Sequence, residues 1–169
     1  MSKKIIILSM FLAAMVFISG CLDDTTIENP GNKTQTITSE QIPTANLPSG
    51  LTFMAIHETE VDIGSSSRKA IEGVYRGDGD EIYIDVFNTE TPESFLDEYK
   101  AQYKEANYAP FTEISINGHN ATQVKYYITI NGTQIPKYNI IWTTKNSMIK
   151  VGGSVNVQKV IDLAKATNS

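Results

Sequence analysis

Alternating apolar and polar positions predict several β-strands in the C-terminal two-thirds of the chain. The clearest case is the segment in which Ile82, Ile84 and Val86 share one face, because a two-residue period is typical of a strand. Similar patterns predict strands over residues 51–56, 69–76, 81–88, 112–116, 122–130, 134–144 and 148–151. Asn131-Gly132 predicts a type I′ hairpin turn, since both residues tolerate a positive φ.

Two segments have the three-to-four-residue spacing of helices. The first opens at Thr91-Pro92, with Thr91 as the cap and Pro92 at the first helical position, and its apolar spacing continues to Ala106. The second follows residues 152–154, and its apolar stripe consists of Val157, Val160, Ile161 and Ala164. Single helices among hairpins predict an α+β domain, an antiparallel sheet of about six to seven strands packed by two helices.

The first 20 residues have the three parts of a secretory signal peptide. Lys3 and Lys4 form a basic start, residues 5–18 are apolar apart from one serine, and Ser19-Gly20 places two small residues before Cys21. This order is typical of a removable leader. The sequence therefore predicts a signal peptide over 1–20 and export of the rest of the chain.

The segment from Ile18 to Cys21 resembles the lipobox of prokaryotic lipoproteins, although that family usually has Leu at the position of Ile18. The resemblance implies that Cys21 becomes the lipidated N-terminal residue, and a thiol suits this role because its thiolate is a good nucleophile. Alternatively, residues 5–22 stay uncleaved as a membrane anchor, since they approach the length of a bilayer span. Both alternatives predict a protein at the extracytoplasmic face of the cell membrane.

Residues 21–46 differ in composition from the rest of the chain, because they are rich in Thr, Asn, Asp and Pro and contain no aromatic residue. Such a stretch buries too little apolar area to offset its ordering entropy, which predicts a flexible, lipid-anchored stalk before a domain over 47–169. Asn32, Asn120 and Asn131 are acceptor positions for N-glycosylation if the host modifies exported proteins. A Thr-rich stalk with such a site after a lipobox is similar to archaeal surface lipoproteins.

The predicted element order after residue 47 resembles the PsbP-like α/β/α sandwich that recurs in secreted lipoproteins. The features that carry the resemblance are the entry at residues 47–51, the turn at 116–119, the Ile141-Trp142 strand and the helix after 152–154. None of them is a catalytic motif. The resemblance implies a non-enzymatic binding or accessory module and transfers no functional residue.

Charge and cysteine content exclude two classes of function. Fourteen Lys and Arg against nineteen Asp and Glu give a net charge of −5, whereas nucleic-acid binding depends on clustered positive charge. Cys21 is the only cysteine, so no intramolecular disulfide and no cysteine metal cage can form. The chain therefore predicts no nucleic-acid partner, and no motif points to a cofactor.

Two acidic segments are candidates for binding a metal ion. Glu58, Glu60 and Asp62 would share one face of a strand and present oxygen ligands together, while His57 would point the other way. The residues from Asp78 to Glu81 resemble the start of a calcium loop but lack its remaining ligands. A solvated strand end and an acidic hairpin turn are the structural alternatives, and a calcium-dependent surface protein is the functional one.

A small extracytoplasmic hydrolase is a further alternative. Ser66 and Lys69 have the Ser-x-x-Lys spacing of serine acyltransferases, but the companion motifs of that class are missing. A Ser-His-Asp triad would need His57 or His119, the only imidazoles. With no complete catalytic motif, the sequence predicts that the domain is not an enzyme.

Aromatic residues on the predicted strands are the remaining candidates for a binding surface. They are Tyr75, Tyr83, Tyr126, Tyr127, Tyr138 and Trp142. Tyr and Trp combine a large apolar area with a polar tip, so they suit surfaces that bind proteins, glycans or apolar ligands, and they are equally common in sheet cores. The leading hypothesis is an exported, membrane-anchored lipoprotein with a non-catalytic binding or accessory domain.

Overall fold

The computed structural model describes residues 40–168, which form seven strands and two helices. In chain order they are β1 (Thr52–Ile63), β2 (Ser66–Gly77), β3 (Asp80–Asn88), α1 (Pro92–Ala101), β4 (Phe111–Ile116), β5 (His119–Ile130), β6 (Thr133–Thr143), β7 (Ser147–Ser154) and α2 (Val157–Lys165). The predicted signal peptide, Cys21 and most of the predicted stalk lie outside the described residues. Within residues 40–168, no helix is both long and apolar enough to cross a membrane.

All seven strands form one sheet in the order β1-β2-β3-β7-β6-β5-β4, and every neighbouring pair is antiparallel. Strand β7 is the last strand in the chain but lies in the middle of the sheet. It pairs with β3 on one side and with β6 on the other, so it joins the β1–β3 strands to the β4–β6 strands. The predicted antiparallel sheet with two helices is confirmed.

The two helices pack on opposite faces of the sheet. Val160 and Leu163 of α2 belong to one buried cluster together with Ile140 and Trp142, whereas Tyr99 of α1 belongs to a second cluster. Ile141, which lies between Ile140 and Trp142, belongs to this second cluster, and neighbouring residues of a strand point to opposite faces. The central strands are therefore buried on both sides, a condition more common in parallel sheets.

Several helix and strand ends differ from the predictions, most of all those of β1 and α1. Strand β1 continues to Ile63 instead of ending at residue 56. Helix α1 ends at Ala101 instead of continuing to Ala106, because the next residues form tighter turns such as the bond from Ala106 N to Tyr103 O. Thr91 occupies the N-cap position of α1, but its side chain makes no capping hydrogen bond.

The folded chain begins upstream of residue 47. Ile42 is only 4% exposed and packs in the α2-side cluster. The buried Tyr75 hydroxyl donates a hydrogen bond to the Pro43 carbonyl over 2.8 Å. Residues 42 and 43, which the composition assigned to the stalk, are therefore part of the core.

One hairpin extends beyond its neighbours in the sheet. Strands β5 and β6 pair as far as Ile130 and Thr133, but β4 pairs with β5 only up to Val124, and β7 pairs with β6 only from Tyr138 onward. Residues 126–137, which we call the β5–β6 arm, therefore project from the sheet. At its tip Asn131 and Gly132 have φ of 49° and 80°, as the predicted type I′ turn requires.

Candidate functional site

A cleft of about 550 Å³ lies between the β5–β6 arm and the segment that follows α1. Its lining residues are Gln102, Tyr103, Asn107, Tyr108, Tyr126, Tyr127 and Gln134. We call it the tyrosine cleft. Its volume falls in the range of small-molecule sites, about 300 to 1,000 Å³.

A short loop positions one wall of the cleft. After α1 ends, the Pro110 carbonyl accepts a hydrogen bond of 2.8 Å from the Lys125 backbone N–H. This bond continues the pairing of β4 along β5 and brings Tyr108 against Tyr127, with ring centroids 5.1 Å apart and planes at 88°. Edge-to-face geometry of this kind is favourable for aromatic rings, so the loop and the arm support each other.

The first part of the same segment, at Tyr103, is held by a buried hydrogen-bond chain. Asn139 Nδ2 donates to Tyr99 Oη over 2.7 Å, and Tyr99 Oη lies 3.1 Å from Tyr103 Oη. The Tyr103 ring also packs edge-on against Phe111, with centroids 5.6 Å apart. A Cβ at Gly152 would lie 1.8 Å from Asn139 Oδ1, so glycine at this position leaves the space that Asn139 needs.

The cleft is lined by neutral polar groups and aromatic rings. Burial raises the pKa of Tyr103 and of Tyr126, so both phenols keep their proton at neutral pH. Beside the cleft, Lys125 Nζ lies 5.2 Å from the Tyr127 ring centroid. The neighbouring Tyr127 side chain raises the pKa of Lys125, so this ammonium stays charged at neutral pH.

A second polar arrangement crosses four strands on the α1 side of the sheet. His57, Glu72, Asp85 and Lys150 are successive partners in the sheet register, and we call them the charged row. His57 Nε2 lies 3.1 Å from Glu72 Oε1, and Lys150 Nζ lies 2.7 Å from Asp85 Oδ2. The pKa of Glu72 is raised, mainly by burial and then by the neighbouring Asp85, against the smaller effects of His57 and Lys150.

The first acidic candidate segment does not form a metal centre. Glu58, Glu60 and Asp62 are exposed along β1, and His57 pairs with Glu72 across the sheet. Over residues 40–168, no group of three or more His, Cys, Asp or Glu side chains could hold a metal ion. The segment has the geometry of a solvated edge strand.

The calcium-loop candidates are held by separate partners. Asp78 Oδ2 lies 2.7 Å from Lys159 Nζ, Asp80 Oδ2 accepts from Ser154 Oγ over 2.6 Å, and Glu81 pairs with Arg76. These bonds lower the pKa of Asp78 and Glu81. The three carboxylates therefore belong to an ion-paired hairpin turn.

The hydrolase candidates are not brought together. Ser66 pairs with Ile63 at the start of β2, six residues along β1 from His57, which corresponds to roughly 20 Å of strand. Ser66 and Lys69 are three residues apart on a strand, so their side chains point to opposite faces. His119 is half-buried at the start of β5 and pairs with Ile116. Neither histidine lies in a Ser-His-Asp arrangement in the described part of the chain.

The six aromatic candidates separate into core and site. Tyr75 and Trp142 are fully buried, Tyr83 donates to Glu81, and Tyr138 packs against the α2-side cluster. Only the tyrosines at 126 and 127 line the tyrosine cleft.

Sequence reasoning missed the other five lining residues. Four of them come from residues 102–108, and helical spacing had assigned the part of this segment up to Ala106 to α1. The high content of Tyr, Gln and Asn in this segment could have indicated a binding site, since these residue types can stack and hydrogen-bond but do not form an apolar stripe.

The candidate modification sites are only partly within the described residues. Asn120 and Asn131 are exposed, the former on β5 and the latter at the tip of the β5–β6 arm. Cys21 and Asn32 lie outside residues 40–168.

Comparison with known proteins gives no family for this chain. No family model matches it, and no curated protein matches it. A crystal structure of a GTP binding regulator from Thermotoga maritima is similar over 69% of this chain and 78% of that chain, with 16% identity and a TM-score of 0.41. A likeness at this level carries no argument about fold or function.

Proposed function

We propose that the protein is an exported lipoprotein, held at the extracytoplasmic face of the cell membrane through a lipid on Cys21. Its sheet domain is a non-catalytic binding module, and its ligand site is the tyrosine cleft. The observation that carries the binding role is this cleft, in which four phenols and three carboxamides converge on a space of about 550 Å³.

The composition of the cleft favours binding over catalysis. General acid and base groups work best with a pKa near the operating pH, whereas burial raises the pKa of Tyr103 and Tyr126. The seven lining residues include no histidine, carboxylate or thiol. They offer ring faces and hydrogen bonds, which select and orient a ligand.

The membrane tether is supported by the N-terminal sequence. A basic start, an apolar run and two small residues precede Cys21. An uncleaved anchor over residues 5–22 would place the domain on the same side of the membrane. We assign the membrane attachment to a lipid on Cys21 and not to such an uncleaved anchor.

The tether is tested by the intact mass of the protein extracted from membranes, with Cys21→Ala measured beside it. We expect the wild-type mass to lack residues 1–20 and to include added lipid, and we expect the variant to carry no lipid. A wild-type mass that retains the leader would replace lipidation by a transmembrane anchor.

The binding role is tested by NMR on the isotope-labelled full chain in detergent, with a mixed set of saccharides, short peptides, nucleosides and amino acids. We expect at least one class to shift the resonances of residues 102–108 and 126–134. Tyr127→Ala should abolish these shifts without unfolding the domain, since Tyr127 is 38% exposed. Shifts confined to other regions, or none with any class, would overturn the proposal.

A further inference from the structure

The three carboxamides that line the tyrosine cleft are not engaged within the described domain, unlike those of Asn139 and Asn156. Asn139 and Asn156 use their amides for buried bonding and helix capping. Among residues 40–168, the side chains of Gln102, Asn107 and Gln134 take part in no hydrogen bond. Each offers two N–H donors and a carbonyl acceptor, and all three border the same cleft.

The aromatic rings of the cleft are fixed before a ligand arrives. Tyr108 and Tyr127 hold each other edge to face, and Tyr103 is held by the Tyr99 hydroxyl and the Phe111 ring. A preorganised site loses little side-chain entropy when a ligand binds. Tyr127 also remains 38% exposed, so its ring is accessible.

We infer that the ligand of the tyrosine cleft is a neutral saccharide, an inference that rests on the binding role proposed above. A sugar ring presents an apolar C–H face that suits an aromatic ring, and its edge carries hydroxyls that both donate and accept. Carboxamides and phenols have this same dual capacity. The aromatic rings of the lining therefore match the C–H face of a sugar, and its carboxamides and phenols match the hydroxyls. Both the lining and the ligand are uncharged.

Charged ligands fit the cleft less well. Among the lining residues there is no carboxylate for a cationic ligand and no Lys or Arg for an anionic one. The neighbouring Lys125 Nζ lies 5.2 Å from the Tyr127 ring centroid and is not among the residues that line the cleft.

A proline-rich peptide is the main competing ligand, because aromatic grooves bind such peptides. Proline has no backbone N–H, so each proline of this ligand could accept from the carboxamides of the cleft but could donate nothing to their oxygens. Hydrogen-bonding groups that lose water and gain no partner weaken binding. Saccharide hydroxyls supply those donors.

The inference is tested by titrating the full chain with neutral oligosaccharides of hexoses and N-acetylhexosamines. Uronic-acid oligosaccharides and a proline-rich peptide are titrated in parallel. The protein is kept in an amine-oxide detergent, because the sugar headgroup of an alkyl glycoside would compete. We expect saturable binding by a neutral oligosaccharide and resonance shifts in residues 102–108 and 126–134.

Three variants separate the contributions of ring and carboxamide. Tyr127→Ala should weaken binding at least about tenfold, the loss typical of an aromatic contact at the centre of a site. Gln134→Ala should weaken it roughly two- to tenfold, as expected for one hydrogen bond. Ile130→Ala, an exposed residue of the same arm outside the cleft, should leave the affinity unchanged.

Other outcomes contradict the inference in distinct ways. Tighter binding of the proline-rich peptide or of uronic acids would overturn the neutral saccharide and leave the binding role intact. Neutral-saccharide affinity that survives Tyr127→Ala would place the sugar outside the cleft. No shift in the cleft with any class of ligand would overturn both this inference and the proposed function.

Discussion

Tyrosine residues of similar sequence context have different roles because their hydroxyls meet different surroundings. Tyr75 is fully buried, and its hydroxyl donates to the Pro43 carbonyl. Tyr138 is half-buried, and within residues 40–168 its hydroxyl forms no hydrogen bond. Both lie on strands with alternating patterns, so the difference arises from distant parts of the chain.

This difference predicts the effects of removing each hydroxyl. Tyr75→Phe should lower the free energy of unfolding by about 1 to 2 kcal/mol, because the buried Pro43 carbonyl loses its donor. Tyr138→Phe should change it by less than about 0.5 kcal/mol. Urea unfolding of the two variants and wild type measures both values, and equal losses would contradict the assigned role of Tyr75.

At the scale of elements, the two helices begin in different ways. The Asn156 side chain accepts hydrogen bonds from the backbone N–H groups of Gln158 and Lys159 at the start of α2. Thr91 holds the equivalent position in α1 without such a bond, and its own N–H donates to Thr89 Oγ1. Asn156 therefore caps α2 with its side chain, whereas Thr91 occupies the predicted cap position of α1 without forming a capping bond.

Substitutions at the two cap positions should differ accordingly. Asn156→Ala should destabilise the domain by about 1 kcal/mol, since two N–H groups lose their acceptor. Thr91→Ala should cost less than about 0.5 kcal/mol. Thermal unfolding monitored by circular dichroism measures both, and a larger loss for Thr91→Ala would show that the capping assignment is wrong.

The charged row links four strands and makes stability depend on pH. The pKa of Glu72 is raised above its ordinary value of 4.5 in the folded protein, first by burial and second by Asp85. Between those two pKa values the folded state holds more protons than the unfolded state. Stability from this group is therefore full below the ordinary pKa and is lost as pH rises through the raised one.

Glu72→Gln should remove this dependence, because glutamine stays neutral at every pH. We expect the stability of wild type minus that of Glu72→Gln to fall as pH rises above about 4.5. Glu58→Gln, at an exposed position on the neighbouring β1, is the matched control and should give a flat difference. A wild-type advantage that grows with pH would show that folding lowers the pKa of Glu72 instead of raising it.

At the scale of the whole molecule, the segment before β1 completes the core. Ile42 occupies the space above Gly73, where a Cβ would lie 2.5 Å from Ile42 Cγ2. The Pro43 carbonyl satisfies Tyr75 from the same segment. These contacts join residues about thirty positions apart and explain why the core starts before residue 47.

Two shortened chains test the contribution of this segment. A chain that starts at Glu40 keeps Ile42 and Pro43, whereas one that starts at Leu47 loses both. We expect the shorter chain to be less stable by at least about 3 kcal/mol, combining the cavity left by Ile42 with an unsatisfied Tyr75 hydroxyl. Equal unfolding midpoints in urea would show that residues 40–46 add nothing to the core.

Much of the fold could be predicted from local patterns, because strand alternation and turn chemistry act over a few residues. Ile82 and Ile84 are buried on one face, and Asn131-Gly132 adopts the expected backbone. The burial of Asp85 and Phe87 on the opposite face was not evident, since it depends on where α1 packs. The site was predicted only in Tyr126 and Tyr127, because the segment that forms its other wall has helical spacing up to Ala106 and yet leaves the helix after Ala101.

The sequence alone determined an antiparallel sheet of about six to seven strands with two helices and the acidic character of the chain, because these follow from periodicity and residue counts. It also carries the prediction of export and of lipidation at Cys21. Only the tertiary structure decided that β7 lies at the centre of the sheet, that residues 42 and 43 complete the core and that residues 102–108 meet the β5–β6 arm. Those features depend on contacts between distant segments, where packing and hydrogen bonding select one arrangement among many that the local pattern allows.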